Sequence, residues 1–265
     1  MTQQAKLVET RRDDGVAIVR MVNERSRNSL SNEMRLALAA AFAEAAHDER
    51  TRAIYLTGTN SAFCSGGDLR NLKALSGPWG AYRRFRRLGE WLLPLIRIEK
   101  PVVVGVNGVA VGGGMGLVFA GDVIVAAASA KFLAGFFRVG VCPDVATMYT
   151  LPRLVGMARA KQLLFGGVPW SAQDALNAGL VARIVQDDEL DAVCLARAQE
   201  LADGPAEVIG LAKLIMARTF ETGLDEMFLY EGLGQALAIS GAEFREGLDA
   251  LLEKRTARFT DKRNA

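Results

Sequence analysis

The sequence predicts an α/β fold followed by a helical C-terminal region, and three observations support this prediction. The first two-thirds of the chain alternate short β-branched runs with helical stretches, which is the pattern of sheets covered by helices. From about Asp187 onward the strand signals stop and helical periodicity continues. The 265 residues are 50% apolar, enough for one large core. We therefore expect an α/β core over residues 1–190 and a helical region over residues 191–265.

The individual elements follow from the spacing of the apolar residues. Two segments repeat apolar residues at helical spacing, Asn32–His47 and Trp79–Ile98. Pro205 and Gly223 divide the C-terminal region into separate helices, because both residue types mark helix starts and stops. Five β-branched runs are the strand candidates: Val16–Met21, Ala53–Thr57, Val102–Val106, Val123–Ala127 and Val181–Val185.

Charge and the N-terminal composition restrict the partners and the location. The chain has 32 Lys and Arg against 30 Asp and Glu, a net charge of +2, so it has no general cationic field for nucleic acid or membrane surfaces. The first segment, MTQQAKLVETRRDDG, lacks the apolar stretch of a signal peptide, and no later segment has the apolar length to cross a bilayer. We expect a cytoplasmic protein without a nucleic-acid or membrane partner.

Cysteine and histidine usage excludes several kinds of chemistry. Cys64, Cys142 and Cys194 are odd in number and lack C-x-x-C spacing, so we expect neither a disulfide framework nor a zinc site. The only histidine, His47, lies in a polar stretch at the end of a helix. Ser-His-Asp and Cys-His mechanisms need an imidazole as general base, so these hydrolase mechanisms are not expected.

Two glycine turns carry the strongest functional signal. Ser65-Gly66-Gly67-Asp68 and Gly112-Gly113-Gly114 each follow a strand candidate and precede a helical stretch. A helix start exposes backbone N–H groups, and glycine lets a ligand approach them closely. The dinucleotide, P-loop and nucleophile-elbow patterns are not matched. Two interpretations remain, close packing of helix on strand and an oxyanion hole built from two N–H groups; the presence of two such turns favours the second.

Several segments in order resemble the crotonase superfamily, the enoyl-CoA hydratase/isomerase family, over nearly the whole chain. This resemblance implies a spiral of ββα turns and C-terminal helices that assemble a homotrimer or a dimer of trimers. It also implies coenzyme A thioester substrates, with no cofactor beyond the coenzyme A that the substrate carries. The matching segments are NERSRNSLS (23–31), RAIYLTGTNSAFCSGGDL (52–69), KPVVVGVNGVAVGGGMGL (100–117), LPRLVGMARAKQLL (151–164), SAQDALNAGLV (171–181) and EGLDALLEKRTARF (246–259).

The resemblance also implies the roles of individual residues. The two oxyanion donors correspond to the N–H groups of Gly67 and Gly113, which would stabilise the enolate of the thioester. The other residues expected to contact the substrate are Arg25 at the phosphates, Ser65 in the first glycine turn, Asp68 and Leu69 around the adenine, Phe136 beside the acyl group, and Phe259 from the C-terminal region.

The reaction depends on which carboxylates are present. Family members that hydrate a double bond use two glutamates, and the matching positions here are Gly116 and Phe136. Asp144 instead resembles the single aspartate of other members, notably an isomerase of ring-epoxidised phenylacetyl-CoA. A free aspartate has a pKa of about 3.9, so this role requires an apolar pocket that raises it. We expect Val141, Cys142, Val145, Met148, Phe136 and Phe137 to form that pocket. The alternative is that Asp144 is only a helix N-cap.

The sequence therefore predicts an enoyl-CoA isomerase in which Asp144 transfers a proton while Gly67 and Gly113 stabilise an enolate. The alternatives are an enoyl-CoA hydratase, an acyl-CoA hydrolase, or an acyl-CoA binder without activity. An RNA-binding role is the alternative from another class, because the cluster Arg83, Arg84, Arg86 and Arg87 lies among aromatic residues. We expect the segment Leu72–Gly89 to shape the acyl pocket.

Overall fold

A computed structural model of the chain describes residues 6–59, 61–73 and 77–260. The first five residues and three residues of the predicted pocket segment Leu72–Gly89 lie outside the described residues. The strands are β1 Val8–Asp13, β2 Val16–Met21, β3 Ala53–Thr57, β4 Ala62–Cys64, β5 Val102–Val106, β6 Val109–Val111, β7 Val123–Ala127, β8 Lys131–Leu133, β9 Trp170–Ser171 and β10 Arg183–Val185. The helices are α1 Asn32–His47, α2 Leu69–Lys73, α3 Gly77–Arg86, α4 Leu88–Ile96, α5 Gly113–Val118, α6 Thr147–Val155, α7 Met157–Gly166, α8 Ala172–Asn177, α9 Leu190–Asp203, α10 Ala206–Met216, α11 Leu224–Ser240 and α12 Ala242–Leu252.

The strands form two sheets that the chain visits alternately. The larger sheet has the order β1-β2-β3-β5-β7-β10 and the smaller one the order β4-β6-β8-β9. Three of the four inner strands of the larger sheet are each followed by a strand of the smaller sheet and then by helices: β3, β4 and α2–α4; β5, β6 and α5; β7, β8 and α6–α7. The remaining inner strand, β2, leads to α1 instead. The repeated succession is the spiral of ββα turns that the family resemblance implies.

The larger sheet is buried on both faces at its centre. Every residue of β3 and β5 is buried, as expected for parallel strands that helices cover on both sides. Alternate residues enter different cores: Ile54 and Leu56 face the core that contains α1, while Tyr55 faces a smaller core formed with Cys194 of α9. The β-branched runs are therefore continuous rather than alternating with polar residues.

Polar contacts attach the C-terminal helices to the larger sheet. Arg52, which is buried, donates to the carbonyl oxygens of Ala202 at 2.5 Å and Gly204 at 2.7 Å. Lys213 of α10 pairs with Asp122 at 2.6 Å. The helix α11, by contrast, leaves large apolar side chains exposed to solvent, namely Phe228, Leu229, Leu233 and Leu237.

Most predicted elements are confirmed, and two need correction. Four of the five strand candidates have the predicted bounds, while β10 begins at Arg183 instead of Val181. The single helix predicted over Trp79–Ile98 is wrong, because the chain forms α3 and α4 with an interruption at Arg87. The nearby Gly89 is a poor helix former, which favours a break here. Among the described residues, no helix has the length and apolar character needed to cross a membrane.

Candidate active site

The two glycine turns lie side by side because the strands that precede them are paired. β4 and β6 are parallel neighbours in the smaller sheet, so the turns that follow them meet at the same edge. A methyl group at Gly66 would lie 2.4 Å from the carbonyl oxygen of Val111 and 3.4 Å from the amide nitrogen of Gly113. Gly66 also has a φ of +83°, which favours glycine. Only glycine therefore permits this close approach.

The N–H groups of Gly67 and Gly113 are both available to a ligand. Gly113 is the first residue of α5, where an N–H has no partner within the helix. Gly67 is exposed, and the neighbouring Leu30 bonds to the Gly66 carbonyl oxygen at 2.8 Å instead. Among the residues that the structure describes, neither N–H donates to another group of the chain. Two free donors on adjacent turns match the requirement for an oxyanion site.

The carboxylate of Asp144 lies next to the second turn. Its Oδ1 atom is 3.5 Å from the place that a methyl group at Gly113 would occupy. The side chain is partly buried, and this burial raises the pKa of Asp144, while the charges of Arg35 and Arg84 and a backbone hydrogen bond act in the opposite direction. A raised pKa makes the carboxylate a stronger base than a solvated aspartate.

Asp144 does not cap a helix through its side chain, so the alternative interpretation of this residue is wrong. The following helix α6 begins at Thr147, its N-cap is Ala146, and among the described residues no side chain makes a capping hydrogen bond there. The Asp144 backbone carbonyl accepts the Thr147 N–H at 3.0 Å. The carboxylate therefore remains available for another role.

The residues after Asp144 adopt an unusual backbone conformation. Val145 and Ala146 have φ values of +51° and +56°, which are rare for residues other than glycine and especially for β-branched ones. This turn places the Val145 carbonyl oxygen 2.1 Å from the position of a methyl group at Gly116. The space beside Gly116 is thus filled by main chain, and no side chain fits there without moving the turn.

An apolar cavity of about 510 Å³ extends from Asp144. One wall comes from α3 and α4, with Phe85, Leu88 and Leu92, and the opposite wall from Val141 to Ala146. Among the lining residues that the structure describes, Asp144 is the one carboxylate. A cavity of this size and composition fits an acyl group. A larger cavity of about 840 Å³ lies between α1, α10 and α11, and neither glycine turn lines it.

The first glycine turn is held by the preceding NERSRNSLS segment. Ser65 donates through its hydroxyl to the Ser26 carbonyl at 2.8 Å and through its N–H to the Arg27 carbonyl at 2.9 Å. Arg25 is exposed in the same segment. Asp68 accepts the Arg70 N–H at 2.9 Å at the start of α2, and Leu69 is exposed. Ser65 thus fixes the turn, whereas the side chains of Arg25 and Leu69 are exposed to solvent.

Three residues predicted to form the pocket around Asp144 lie elsewhere: Phe136, Phe137 and Met148. Phe136 is buried, and its ring lies 3.6 Å from the place of a methyl group at Gly112, so it supports the second glycine turn. Phe137 packs against Phe165, with ring centroids 5.5 Å apart, and Met148 is exposed. None of Phe136, Phe137 and Met148 is among the described residues that line the cavity.

Phe259 lies against α12. Its ring is 3.6 Å from the place of a methyl group at Gly247. The tail before it is held by Glu246, which is buried and accepts from Arg255 Nη1 at 2.6 Å and from the Arg258 N–H at 2.8 Å. These contacts fix the position of the C-terminal tail.

Two arginines near Asp144 were not predicted as site residues. Arg84 of α3 donates to Asn32 Oδ1 at 3.1 Å, and Arg35 of α1 bonds to the same oxygen. The predicted arginine cluster is therefore divided, because Arg84 is partly buried whereas Arg83, Arg86 and Arg87 are exposed. The sequence contains the RRFRR run, but the run itself does not distinguish the inward-facing arginine.

Comparisons with known proteins agree with this geometry. A family model described as enoyl-CoA hydratase/isomerase matches residues 11–262. The chain is 35% identical over 256 residues to a 1,2-epoxyphenylacetyl-CoA isomerase of Escherichia coli (strain K12), covering 94% of this chain and 97% of the relative. An enoyl-CoA hydratase/isomerase structure from Cupriavidus metallidurans CH34 superposes with a TM-score of 0.92, 27% identity and 97% of each chain covered. An enoyl-CoA hydratase structure from Bacillus anthracis gives a TM-score of 0.90 at 27% identity, covering 97% of this chain and 100% of that one.

Proposed function

Because the chain belongs to the enoyl-CoA hydratase/isomerase family, we propose that it is an enoyl-CoA isomerase that moves a double bond through a thioester enolate. One observation carries this proposal. Asp144 lies next to Gly113 and lines an apolar cavity, so that one carboxylate would adjoin both the carbonyl and the acyl carbons of a bound thioester.

The proposed reaction needs only a proton transfer within the substrate. The thioester oxygen accepts hydrogen bonds from the N–H groups of Gly67 and Gly113. Asp144 removes a proton from one carbon of a 3-enoyl thioester, the electron pair moves onto the carbonyl oxygen as an enolate, and Asp144 returns the proton to another carbon. Loss of one oxyanion donor typically lowers the rate roughly 10²–10³-fold, so both turns are essential.

The surroundings of Asp144 suit a base that also acts as an acid. Burial raises its pKa, which strengthens the base, and the charges of Arg35 and Arg84 limit this rise. A carboxyl group whose pKa lies closer to neutral both accepts and returns a proton efficiently. The apolar walls, including Leu88 and Val145, limit the access of water to the enolate.

The same surroundings disfavour hydration of the double bond. The family resemblance assigns the two hydratase glutamates to positions 116 and 136. At Gly116 the Val145 carbonyl occupies the place of a side chain, and Phe136 is buried behind Gly112. Without a second carboxylate, the activation of a water molecule lacks its usual base.

Hydrogen exchange tests this proposal directly. We expect the protein in deuterated water to convert a 3-enoyl-CoA to the 2-enoyl-CoA with exchange at carbons 2 and 4. Asp144→Asn should lower the rate roughly 10²–10⁴-fold, the usual range for loss of a general acid–base. Asp249→Asn, on the exposed face of α12, is the matched control and should retain activity. Addition of water, or release of free coenzyme A, without exchange would instead indicate a hydratase or a hydrolase.

We also propose that the protein assembles through its C-terminal helices as a homotrimer or a dimer of trimers. The exposed apolar side chains of α11, including Phe228 and Leu233, support this assembly, because such a contiguous surface on a helix usually marks an interface.

A further inference from the structure

Two guanidinium groups meet at a single neutral oxygen beside the cavity. Arg84 Nη1 donates to Asn32 Oδ1 at 3.1 Å, and Arg35 Nη2 bonds to the same atom. Arg35 also donates from Nε to the Ser31 carbonyl at 3.3 Å. The two side chains come from different helices, α1 and α3, so Asn32 joins elements that are distant in sequence.

The positive charge of this pair is not neutralised by a direct contact. Within the described residues, no carboxylate lies within 4.0 Å of either guanidinium group. The Nε atom of Arg84 is buried and has no hydrogen-bond partner in the part of the chain that the structure describes. Burial and the charge of Arg84 lower the pKa of Arg35, while Asp144 and Glu33 raise it. Two partly buried cations that repel each other are stabilised when an anion binds between them.

The location of the pair links it to the acyl cavity. Phe85, the residue after Arg84, lines the cavity. Leu30, just before α1, lies 3.3 Å from the place of a methyl group at Gly113. Arg35 and Arg84 both interact electrostatically with Asp144, which lines the cavity. The pair therefore lies near Asp144 and next to the part of α3 that lines the cavity.

We propose that Arg35, Arg84 and Asn32 form a binding site for a second carboxylate carried by the acyl group, so that the preferred ligands are thioesters of dicarboxylic acids. Arginine suits this role because its planar donors pair with both oxygens of a carboxylate. The unpartnered Nε of Arg84 supplies a donor, and the Asn32 amide keeps the two cations together when no ligand is bound. This inference rests on the proposed function, since it assigns the cavity to the acyl group.

Equilibrium binding of two matched ligands tests the site without requiring turnover. Adipoyl-CoA and hexanoyl-CoA have the same chain length and differ at the last carbon, so contacts to coenzyme A cancel in the comparison. By calorimetry we expect adipoyl-CoA to bind at least about tenfold more tightly, as hydrogen bonds between charged groups usually provide. Arg84→Met should remove most of this preference, and Arg86→Met, an exposed arginine of the same helix, should retain it.

Asn32→Asp is a second variant that does not depend on removing an arginine. The change is isosteric and places a carboxylate between the two guanidinium groups, at the start of α1, where a negative charge is favourable for the helix. This internal anion should compete with the ligand and abolish the preference for adipoyl-CoA, while hexanoyl-CoA binds as in the wild type.

Two results would overturn the proposal. One is equal binding of the two thioesters by the wild type. The other is a loss of affinity in Arg84→Met that is the same for adipoyl-CoA, hexanoyl-CoA and free coenzyme A, which would mean that the arginine binds a phosphate. Failure of the isomerase assignment is distinguishable, because it appears as absent hydrogen exchange with a 3-enoyl-CoA, whereas the binding preference does not depend on Asp144 chemistry.

Discussion

Replacement of Gly116 by alanine tests the close contact between α5 and the turn after Asp144. A methyl group at this position would lie 2.1 Å from the Val145 carbonyl oxygen, 2.8 Å from its Cβ and 3.0 Å from its carbonyl carbon. Glycine to alanine inside a helix normally gains about 1 kcal/mol. Overpacking of a core costs about 1–3 kcal/mol or more. We expect a cost at the upper end of this range, because the methyl group would meet main-chain atoms of Val145, which cannot move as easily as a side chain. The net expectation is a loss of about 2 kcal/mol in the free energy of unfolding.

Two measurements follow for Gly116→Ala. The melting temperature should fall by about 4–8 °C, and the rate of the proposed isomerisation should fall roughly 10²-fold, because displacement of Val145 also moves the neighbouring Asp144. The matched control is Gly80→Ala in α3, where an added methyl group would lie more than 4 Å from every described residue outside its own stretch of helix; it should be neutral or stabilising. If both variants gain stability alike and Gly116→Ala keeps its activity, then Val145 does not fill the space beside Gly116.

Three further predictions concern charge, the C-terminal tail and assembly. Burial raises the pKa of Asp144 above its value in the unfolded chain. Between these two pKa values the unfolded state binds fewer protons than the folded state, so the free energy of unfolding falls as the pH rises through this window. Urea denaturation should therefore show that Asp144→Asn is more stable than the wild type at pH 7, and this difference should vanish below the pKa of the unfolded chain. Glu246→Gln should lower the free energy of unfolding by about 1–3 kcal/mol, because Arg255 and the Arg258 N–H lose a buried charged acceptor, and an unchanged denaturant midpoint would contradict this. Phe228→Asp on α11 should reduce the mass found by sedimentation equilibrium, and a wild type that sediments as a monomer would refute the proposed assembly.

The sequence predicts the larger sheet well because the relevant signals are local. The runs Ala53–Thr57 and Val102–Val106 are rich in β-branched and aromatic residues and fully buried, so their composition favours strands over helices. The strands of the smaller sheet are only two or three residues long. Such short strands exist because of their pairing in the folded chain, and a sequence pattern of two or three residues carries too little information to predict them.

The candidate site was predictable only in part. The glycine turns and Asp144 could be found because glycine and carboxylate residues are recognisable in the sequence. The backbone conformation of Val145 could not be predicted, because a β-branched residue strongly disfavours a positive φ and only the tertiary structure imposes that conformation. The inward orientation of Arg84 was equally hidden, because it depends on a bond to Asn32, 52 residues away.

The parallel pairing of β4 and β6 separates carbonyl activation from substrate choice. Both proposed donors belong to the main chain and are held by strand pairing and by close glycine contacts such as that of Gly66 with the Val111 carbonyl. The cavity walls come instead from α3, α4 and the 141–146 turn. Exchange of the α3 and α4 wall between relatives should therefore transfer acyl preference, while the main-chain donors and Asp144 remain unchanged.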